Sequence, residues 1–385
     1  MKKLLIVNNN MHIGGVQKAL VSLLWSIRES YDITLLLFHP KGACIEELPP
    51  EVKVIKPNSS FRYLGMTKQD ALSLKEKLGR SFFAAISRSF GRKCAIWLMS
   101  LGQKTLEGYD VAISYLHDGG SKAFYGGCND FVLKHVAAKQ KITFLHCDYL
   151  HCGANTPENR GKYDKFDRIA ACSQGCADAF LQANPNLKDK VKVARNCHRF
   201  EKIRSAASQP VTLKADKINI LTVARFGKEK SVERGLLALA RLGDEKEKVH
   251  YHIIGDGVQK PLLKKIIEEE GLSSCVTLWG EMKNPYGHMS RADLLLIPSV
   301  SEAAPLVIGE AVCLGTPVLS TETSSAREMI EKTGYGWVCK NSVDGIASSL
   351  SALLQRPELL WEAKERLKKL TLDNAVAVAQ FDALL

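Results

Sequence analysis

Two successive series of short, β-branched apolar runs, each run followed by a stretch of helical spacing, constrain this chain more than any other feature. In the first half the runs are KLLIVN (3–8), DITLLLF (32–38), VAISYL (111–116), KITFLH (141–146), RIAACS (168–173) and VKVARN (191–196). The second series is INILTVAR (218–225), HYHIIG (250–255), VTLWG (276–280), DLLLIP (293–298) and PVLST (317–321). Near-continuous apolar strands alternating with helices are the mark of βαβ units in parallel sheets covered on both faces. Residues 197–216 carry little periodic signal and read as a linker. The expectation is an α/β chain of two doubly wound domains. Ligands of such sheets bind outside the carboxyl ends of the strands, which puts the expected site in a cleft between the domains. Helical patterns over 357–370 and about 373–385 follow the last strand, and could cap the second domain or cross back to the first.

A length of 385 residues suits two cores, and 45% hydrophobic with 24% charged residues excludes the disordered and fibrous classes. No apolar run reaches the ~18 residues of a membrane-spanning helix, and MKKLLIVNNN lacks the apolar core and cleavage site of a secretory signal. A cytoplasmic setting is expected. Eleven cysteines without a C-x-x-C pair read as reduced, mostly buried thiols. The stretch from His146 to Cys152 lacks the ligand spacing of a zinc site, so no metal is expected.

A formal charge of +12 asks for an anionic partner. Between Arg62 and Lys104 the bases Lys68, Lys75, Lys77, Arg80, Arg88, Arg92 and Lys93 face only Asp70 and Glu76, and Phe82, Phe83, Ile86, Phe90, Ile96 and Trp97 are interleaved among them. That is the composition of a basic amphipathic helix on an anionic membrane face. A helical hairpin that packs its aromatics inward fits the same residues. No recognition motif accompanies the charge, and nucleic acid is not an expected partner.

Three places could carry chemistry. Gly14 and Gly15 lie between the first strand and a helix, where a ligand can approach backbone N–H groups at the positive end of the helix dipole. Strand 218–225 ends in Arg225, and Lys228 and Lys230 follow it, a placement that suits a diphosphate. In PSVSEAAPLVIGEAVCLGTPV (298–318), Pro305 fits the first position of a helix over about 305–314, with Gly315 and Pro317 as its stop. The N–H groups of Leu306 and Val307, with those of Ala303 and Ala304 on the approach, need an acceptor. Glu302 at the helix mouth reads as a cap or a ligand group. Glu310, set among apolar residues, needs donors: water, a base such as Arg327, or two ribose hydroxyls.

Seven residues separate Glu302 and Glu310, and the stretch resembles the E-x7-E motif of retaining GT-B glycosyltransferases, especially family 4 (glycosyltransferase group 1) of the capsular and surface polysaccharide type. The resemblance extends over LTVARFGKEKS (221–231) and the run from HIIGDGVQ to LLLIPS (252–299), and in the first half over GGVQKAL, FLHCDY (144–149) and RIAACSQGCADAFL (168–181). It implies the GT-B fold, two Rossmann-like domains facing across a cleft. Residues 1–200 would bind the acceptor, 211–370 would bind the nucleotide sugar, and 371–385 would form a C-terminal helix. It further implies that Arg225 and Lys230 neutralise the donor's diphosphate with the helix after Pro305, and that Glu310 binds the ribose. Glu302 would hold the transferred sugar, Met282 would lie near the base, and His146, Gly14 and Gly15 would approach the sugar from the first domain.

The implied reaction is hexosyl transfer, with retention, from a UDP- or GDP-linked donor to a glycan acceptor, lipid-linked, at the inner face of a bacterial plasma membrane. No cofactor is implied, and no D-x-D triplet is present, in keeping with a metal-independent site. Ser231 stands where the family commonly has glycine, and Ala303 and Ala304 where it often has glycine and a bulky residue. A sugar-nucleotide 2-epimerase of the same fold and a catalytically silent nucleotide- or glycan-binding subunit are the competing readings.

Overall fold

The run KLLIVN forms β1 (Lys3–Asn8), and five of its six side chains are buried because helices cover both faces of the sheet it joins. The computed structural model describes residues 1–385, which divide into two units, Met1–Cys197 with Asn374–Leu385, and His198–Asp373.

In the first unit β1 is followed by α1 (Gly15–Ile27), β2 (Asp32–Leu37), β3 (Lys53–Ile55), α2 (Arg62–Gly65), α3 (Leu74–Phe90), α4 (Arg92–Ser100), β4 (Leu106–Ser114), α5 (Cys128–His135), β5 (Val136–Leu145), α6 (Pro157–Tyr163), β6 (Arg168–Ala171), α7 (Gln174–Ala183) and β7 (Val191–Val193). The strands form one sheet in the order β3-β2-β1-β4-β5-β6-β7, all parallel. The order reverses direction between β1 and β4, so the loops after these two strands flank the switch point, where open α/β sheets bind ligands.

The second unit holds α8 (Phe200–Ala206), β8 (Ile218–Val223), α9 (Glu233–Ala240), β9 (Val249–Ile254), α10 (Lys260–Glu269), β10 (Val276–Gly280), α11 (Tyr286–Arg291), β11 (Leu294–Ile297), α12 (Leu306–Cys313), β12 (Val318–Thr321), β13 (Gly336–Cys339), α13 (Val343–Gln355) and α14 (Glu358–Lys368). Its sheet runs β10-β9-β8-β11-β12-β13, again parallel, with the switch point between β8 and β11. Residues 197–216, read as a linker, contain α8, which packs on α12 through contacts such as Cys313 Sγ to the Phe200 carbonyl at 3.6 Å.

The last helix, α15 (Ala375–Asp382), belongs to the first unit. Phe381 is buried there against Phe144 and Tyr31, and Tyr31 donates to Asp382 at 2.8 Å. Burying one such aromatic contributes roughly 1.5–3 kcal/mol, enough to hold a two-turn helix in place.

The basic segment between 62 and 104 folds as α2, α3 and α4, with α3 packed on α4. A capping box at Ser73 and Glu76 starts α3, and Gly91 at φ 86° makes the turn into α4. Phe83 and Ile96 point inward as expected of a packed hairpin, whereas Leu74, Leu78, Phe82, Phe90 and Trp97 are exposed. One base departs from the sequence reading. Arg92 is 2% exposed and is no surface cation. Its guanidinium joins Asp118 and Asp130, and Lys162 bonds the same two carboxylates at 3.3 and 2.7 Å. Burial alone would push the Asp118 carboxyl up; Arg92, Lys162, the Gly127 N–H and Asn129 outweigh it and hold it below the usual carboxylate range. Two cations and two anions thus close a buried network linking α4, the loop after β4, α5 and α6.

Candidate active site

The switch point of the second sheet is built by the loops after β8 and β11. A backbone bond ties them, the Val300 N–H donating to the Glu229 carbonyl at 2.9 Å, and the Asn341 side chain braces the second loop by donating from Nδ2 to the Val300 carbonyl at 2.9 Å. Gly255 is required beside them. At φ 148° a Cβ would lie 1.8 Å from the Ala224 carbonyl oxygen, so only glycine lets the loop after β9 pass the end of β8.

Lys230 and Glu302 meet directly in this frame. Lys230 Nζ lies 2.7 and 2.8 Å from the two oxygens of Glu302, whose side chain is 9% exposed. Ser299 Oγ donates to the same carboxylate at 2.7 Å, and Ser324 Oγ donates to the Glu302 carbonyl at 2.7 Å. A buried carboxylate held by an ammonium and a hydroxyl is a strong, charge-assisted arrangement. Ser231, the next residue after Lys230, has φ 44°, the only non-glycine residue with positive φ. Its Oγ donates to the Lys228 carbonyl at 2.6 Å, which helps hold a conformation that costs a non-glycine residue about 1–2 kcal/mol.

Glu310 lies inside α12 and is buried at 7% exposure. Tyr286 at the start of α11 donates its hydroxyl to Glu310 at 2.9 Å. Arg327 does not serve Glu310; it pairs with Glu322 at 2.8 Å and Glu331 at 2.9 Å. On the adjoining turn Gly309 makes room for His198, whose Nε2 would be 2.4 Å from a Cβ at that position. Burial lowers the His198 pKa and the Glu310 carboxylate opposes that shift.

The remaining second-unit candidates are placed as follows. Arg225 is turned into solvent and pairs with Glu229 at 2.5 Å, apart from the Lys230–Glu302 contact. Met282 and Val307, both half-buried, pack with Tyr286 against one apolar cluster that includes Ile308. Pro305 is the cap residue of α12 in extended conformation and not its first helical residue, so Leu306 and Val307 form the first turn, with Ala304 half-buried just before the cap. Ala303 is buried. Tyr286, His198 and Ser324 escaped sequence reasoning because each acts by a contact made across the fold, and Ser299, three residues before Glu302, is an ordinary turn residue in sequence.

In the first unit Gly14 precedes α1 and Gly15 begins it, at the carboxyl end of β1. Neither has a backbone that demands glycine: Gly14 is extended, and a Cβ on Gly15 would meet nothing within 4 Å. His146 follows β5 and stacks on Phe144, with Tyr115 4.6 Å away. Its Nε2 is buried without a hydrogen-bond partner, as is Nδ1 of His117. Burial pushes the His146 pKa down to about 3 and that of His117 to about 4, so both rings are neutral near pH 7.

Residues 204–370 match the family described as glycosyl transferases group 1. The chain is 32% identical over 166 residues to the amylovoran biosynthesis glycosyltransferase AmsK of Erwinia amylovora, covering 40% of this chain and 38% of that protein. It is 29% identical over 208 residues to the N-acetylgalactosamine-N,N'-diacetylbacillosaminyl-diphospho-undecaprenol 4-alpha-N-acetylgalactosaminyltransferase of Campylobacter jejuni, covering 54% and 56%. The chain spans about half the length of the curated relatives it matches. Among solved structures, Anabaena HepE in complex with UDP superposes with a TM-score of 0.67 at 17% identity, covering 100% of this chain and 99% of that one. WaaG, a glycosyltransferase involved in lipopolysaccharide biosynthesis, gives 0.59 at 15% identity over 98% of each chain. Residues 204–370 are therefore similar to the group 1 glycosyltransferases, and the two parallel-sheet, Rossmann-like units have the GT-B fold.

Proposed function

We propose that the protein transfers a hexose from a UDP- or GDP-linked donor, with retention of configuration, to a lipid-linked glycan in the assembly of a bacterial surface or capsular polysaccharide. The observation that carries this reading is the contact of half-buried Lys230 with buried Glu302 at the switch point of the second sheet, with Glu310 on the helix that follows. The relatives' names agree with it: one is named as a glycosyltransferase of amylovoran biosynthesis, another as a transferase acting on a diphospho-undecaprenol substrate.

In this reading the donor's diphosphate takes Lys230 over from Glu302, aided by Arg225 and by the first-turn N–H groups of Leu306 and Val307. Negative charge grows on the leaving nucleoside diphosphate, and a fixed cation with a helix terminus stabilises it. Glu302, released from Lys230, accepts hydroxyls of the transferred sugar. Glu310 accepts the ribose hydroxyls, with Tyr286 fixing one carboxylate oxygen, and Met282 lies near the base. Acceptor attack is on the front face, and the leaving phosphate takes the acceptor's proton.

Glu310→Ala is expected to weaken binding of UDP or GDP by about tenfold or more, since hydrogen bonds to a charged group contribute ~1.5–3 kcal/mol each. Tyr286→Phe should weaken it a few-fold, in line with roughly 0.5–1.5 kcal/mol for one neutral donor. Calorimetry measures both, and unchanged affinities would remove Glu310 from the donor site.

The acceptor side of the proposal places the protein on an anionic membrane surface. No helix is long and apolar enough to cross a membrane. Leu74, Leu78 and Phe82 recur every four residues, on the face of α3 opposite buried Phe83 and Ser87, and Trp97 and Leu101 are exposed on α4 and just after it. Exposed Lys75, Lys77, Arg88 and Lys93 flank them. An apolar stripe bordered by bases fits the interface of a bilayer with anionic headgroups. Replacing Lys77, Arg88 and Lys93 with serine should weaken binding to anionic vesicles by about 100-fold, at ~1 kcal/mol per base. Full retention in a vesicle-sedimentation assay would contradict the membrane reading and leave the donor site untouched.

A further inference from the structure

The segment after β5 places two thiols against each other. Cys147 follows His146 at the end of the strand and is 8% exposed, while Cys152 is exposed. The chain turns back between them: the Cys152 and His151 N–H groups both donate to the Asp148 carbonyl, at 2.9 and 3.1 Å, and the Leu150 N–H donates to the Asp148 side chain at 3.2 Å. The turn brings Cys152 Sγ to 3.1 Å from Cys147 Sγ. Cys147 is also fixed from its other side, because Cys176 Sγ donates to its carbonyl at 3.2 Å. All eleven cysteines are unbridged, and the sulfurs of this pair are in contact.

We infer that Cys147 and Cys152 form a peroxide-oxidisable thiol pair, in which exposed Cys152 is the attacking sulfur and buried Cys147 the resolving one. The Cys152 thiolate attacks hydrogen peroxide and displaces hydroxide, giving the sulfenic acid. The Cys147 thiol then attacks that sulfur, forms the disulfide and releases water. Overall two thiols and one peroxide give one disulfide and two waters. A thiol reductant reverses the step by exchange.

The surroundings favour this order. The hydrogen bond with Cys147 holds the Cys152 pKa below the usual thiol value, against burial and the Asp148 carboxylate, which raise it. The same hydrogen bond, together with burial, pushes Cys147 well up. A low-pKa, accessible sulfur beside a buried partner is the arrangement that oxidises selectively. The product would tie the turn of residues 148–151 to the end of β5, directly beside His146. Oxidation is therefore a means of acting on the segment that carries His146.

Peptide mapping tests the pair without reference to sugar transfer. Cleavage after Lys141 and Arg160 yields one peptide, 142–160, that contains both cysteines and no other. The full chain is treated with stoichiometric hydrogen peroxide, then alkylated under denaturing conditions before and after reduction. The expected result is that this peptide loses both labels together, is lighter by two hydrogens, and regains both labels after dithiothreitol, at a peroxide dose that leaves Cys94 labelled. Cys152→Ser should abolish the change. In Cys147→Ser, Cys152 should stop at a sulfenic acid trapped by dimedone. Oxidation of Cys152 with Cys147 still alkylated, a bridge to any other cysteine, or reaction no faster than at Cys94 would overturn the assignment.

Discussion

Replacing Glu302 with glutamine is expected to lower kcat for sugar transfer by about 10²–10³, the scale of removing one preorganised transition-state contact. Affinity for the nucleoside diphosphate should hold or rise, because the substitution frees Lys230 from its two oxygens at 2.7 and 2.8 Å. Lys230→Ala should act differently. It removes the cation and leaves Glu302, buried and held only by Ser299 among side chains, as a bare anion facing the diphosphate. Nucleotide affinity and kcat should then fall together. Arg225→Ala should also lower nucleotide affinity, since Arg225 is assigned to the diphosphate, but should leave stability nearly unchanged, because its pair with Glu229 is exposed and such pairs contribute at most about 1 kcal/mol. Steady-state kinetics and calorimetry on the three variants read this pattern. A Glu302→Gln protein with unchanged kcat would remove Glu302 from the reacting centre.

Arg92→Ala is expected to destabilise the first unit by about 3–5 kcal/mol, the usual cost of deleting one member of a buried ion network. The size follows from what remains: Asp118 and Asp130 would stay buried at 0% and 5% exposure with Lys162 as their one remaining buried cation. Arg88→Ala, one turn away on the exposed side of α3, should fall within about ±0.5 kcal/mol. Equal urea-unfolding midpoints for the two variants would show that the network contributes nothing to stability. The same pair of variants separates packing from membrane attachment, because Arg92 is sequestered inside the unit and Arg88 is free to meet a lipid surface.

The long parallel strands were legible because both their faces are buried, which leaves an apolar run that spacing alone reveals. Two of the four edge strands, β3 and β13, were not. β3 is three residues, two of them exposed, and β13 is half-buried along most of its length, so neither carries the pattern of a covered strand. β4 and β5 also begin earlier than their apolar runs, at Leu106 and Val136, where they continue as exposed ribbon with a register shift at Leu106/Tyr109 beside Gly108 at φ 86°. Helix α8 was read as linker because only one of its residues is buried, too few to set a 3.6 period.

The donor-side candidates were legible as residues and illegible as contacts. The spacing of Glu302 and Glu310 is visible in the sequence, yet nothing in it says that Lys230, 72 residues away, sits on Glu302, or that Tyr286 satisfies Glu310. Arg92 shows the same limit from the other side. Within a run of bases it looked like its neighbours, and only the arrival of Asp118 and Asp130 from later elements removed it from the surface. Ser231 gives the reverse lesson: the position where the family commonly has glycine is the one non-glycine residue with positive φ, so the departure seen in sequence marks a real backbone demand.

The central claim is tested most directly by incubating the protein with a panel of UDP- and GDP-sugars and a membrane lipid extract, and following nucleoside diphosphate and labelled sugar together. The account predicts that one donor releases its nucleoside diphosphate in step with label entering the lipid fraction, and that Glu302→Gln suppresses both. Conversion of a nucleotide sugar into its epimer with no diphosphate released would contradict it and assign the site to isomerisation; binding without turnover of any donor would make the chain a silent nucleotide-sugar binder.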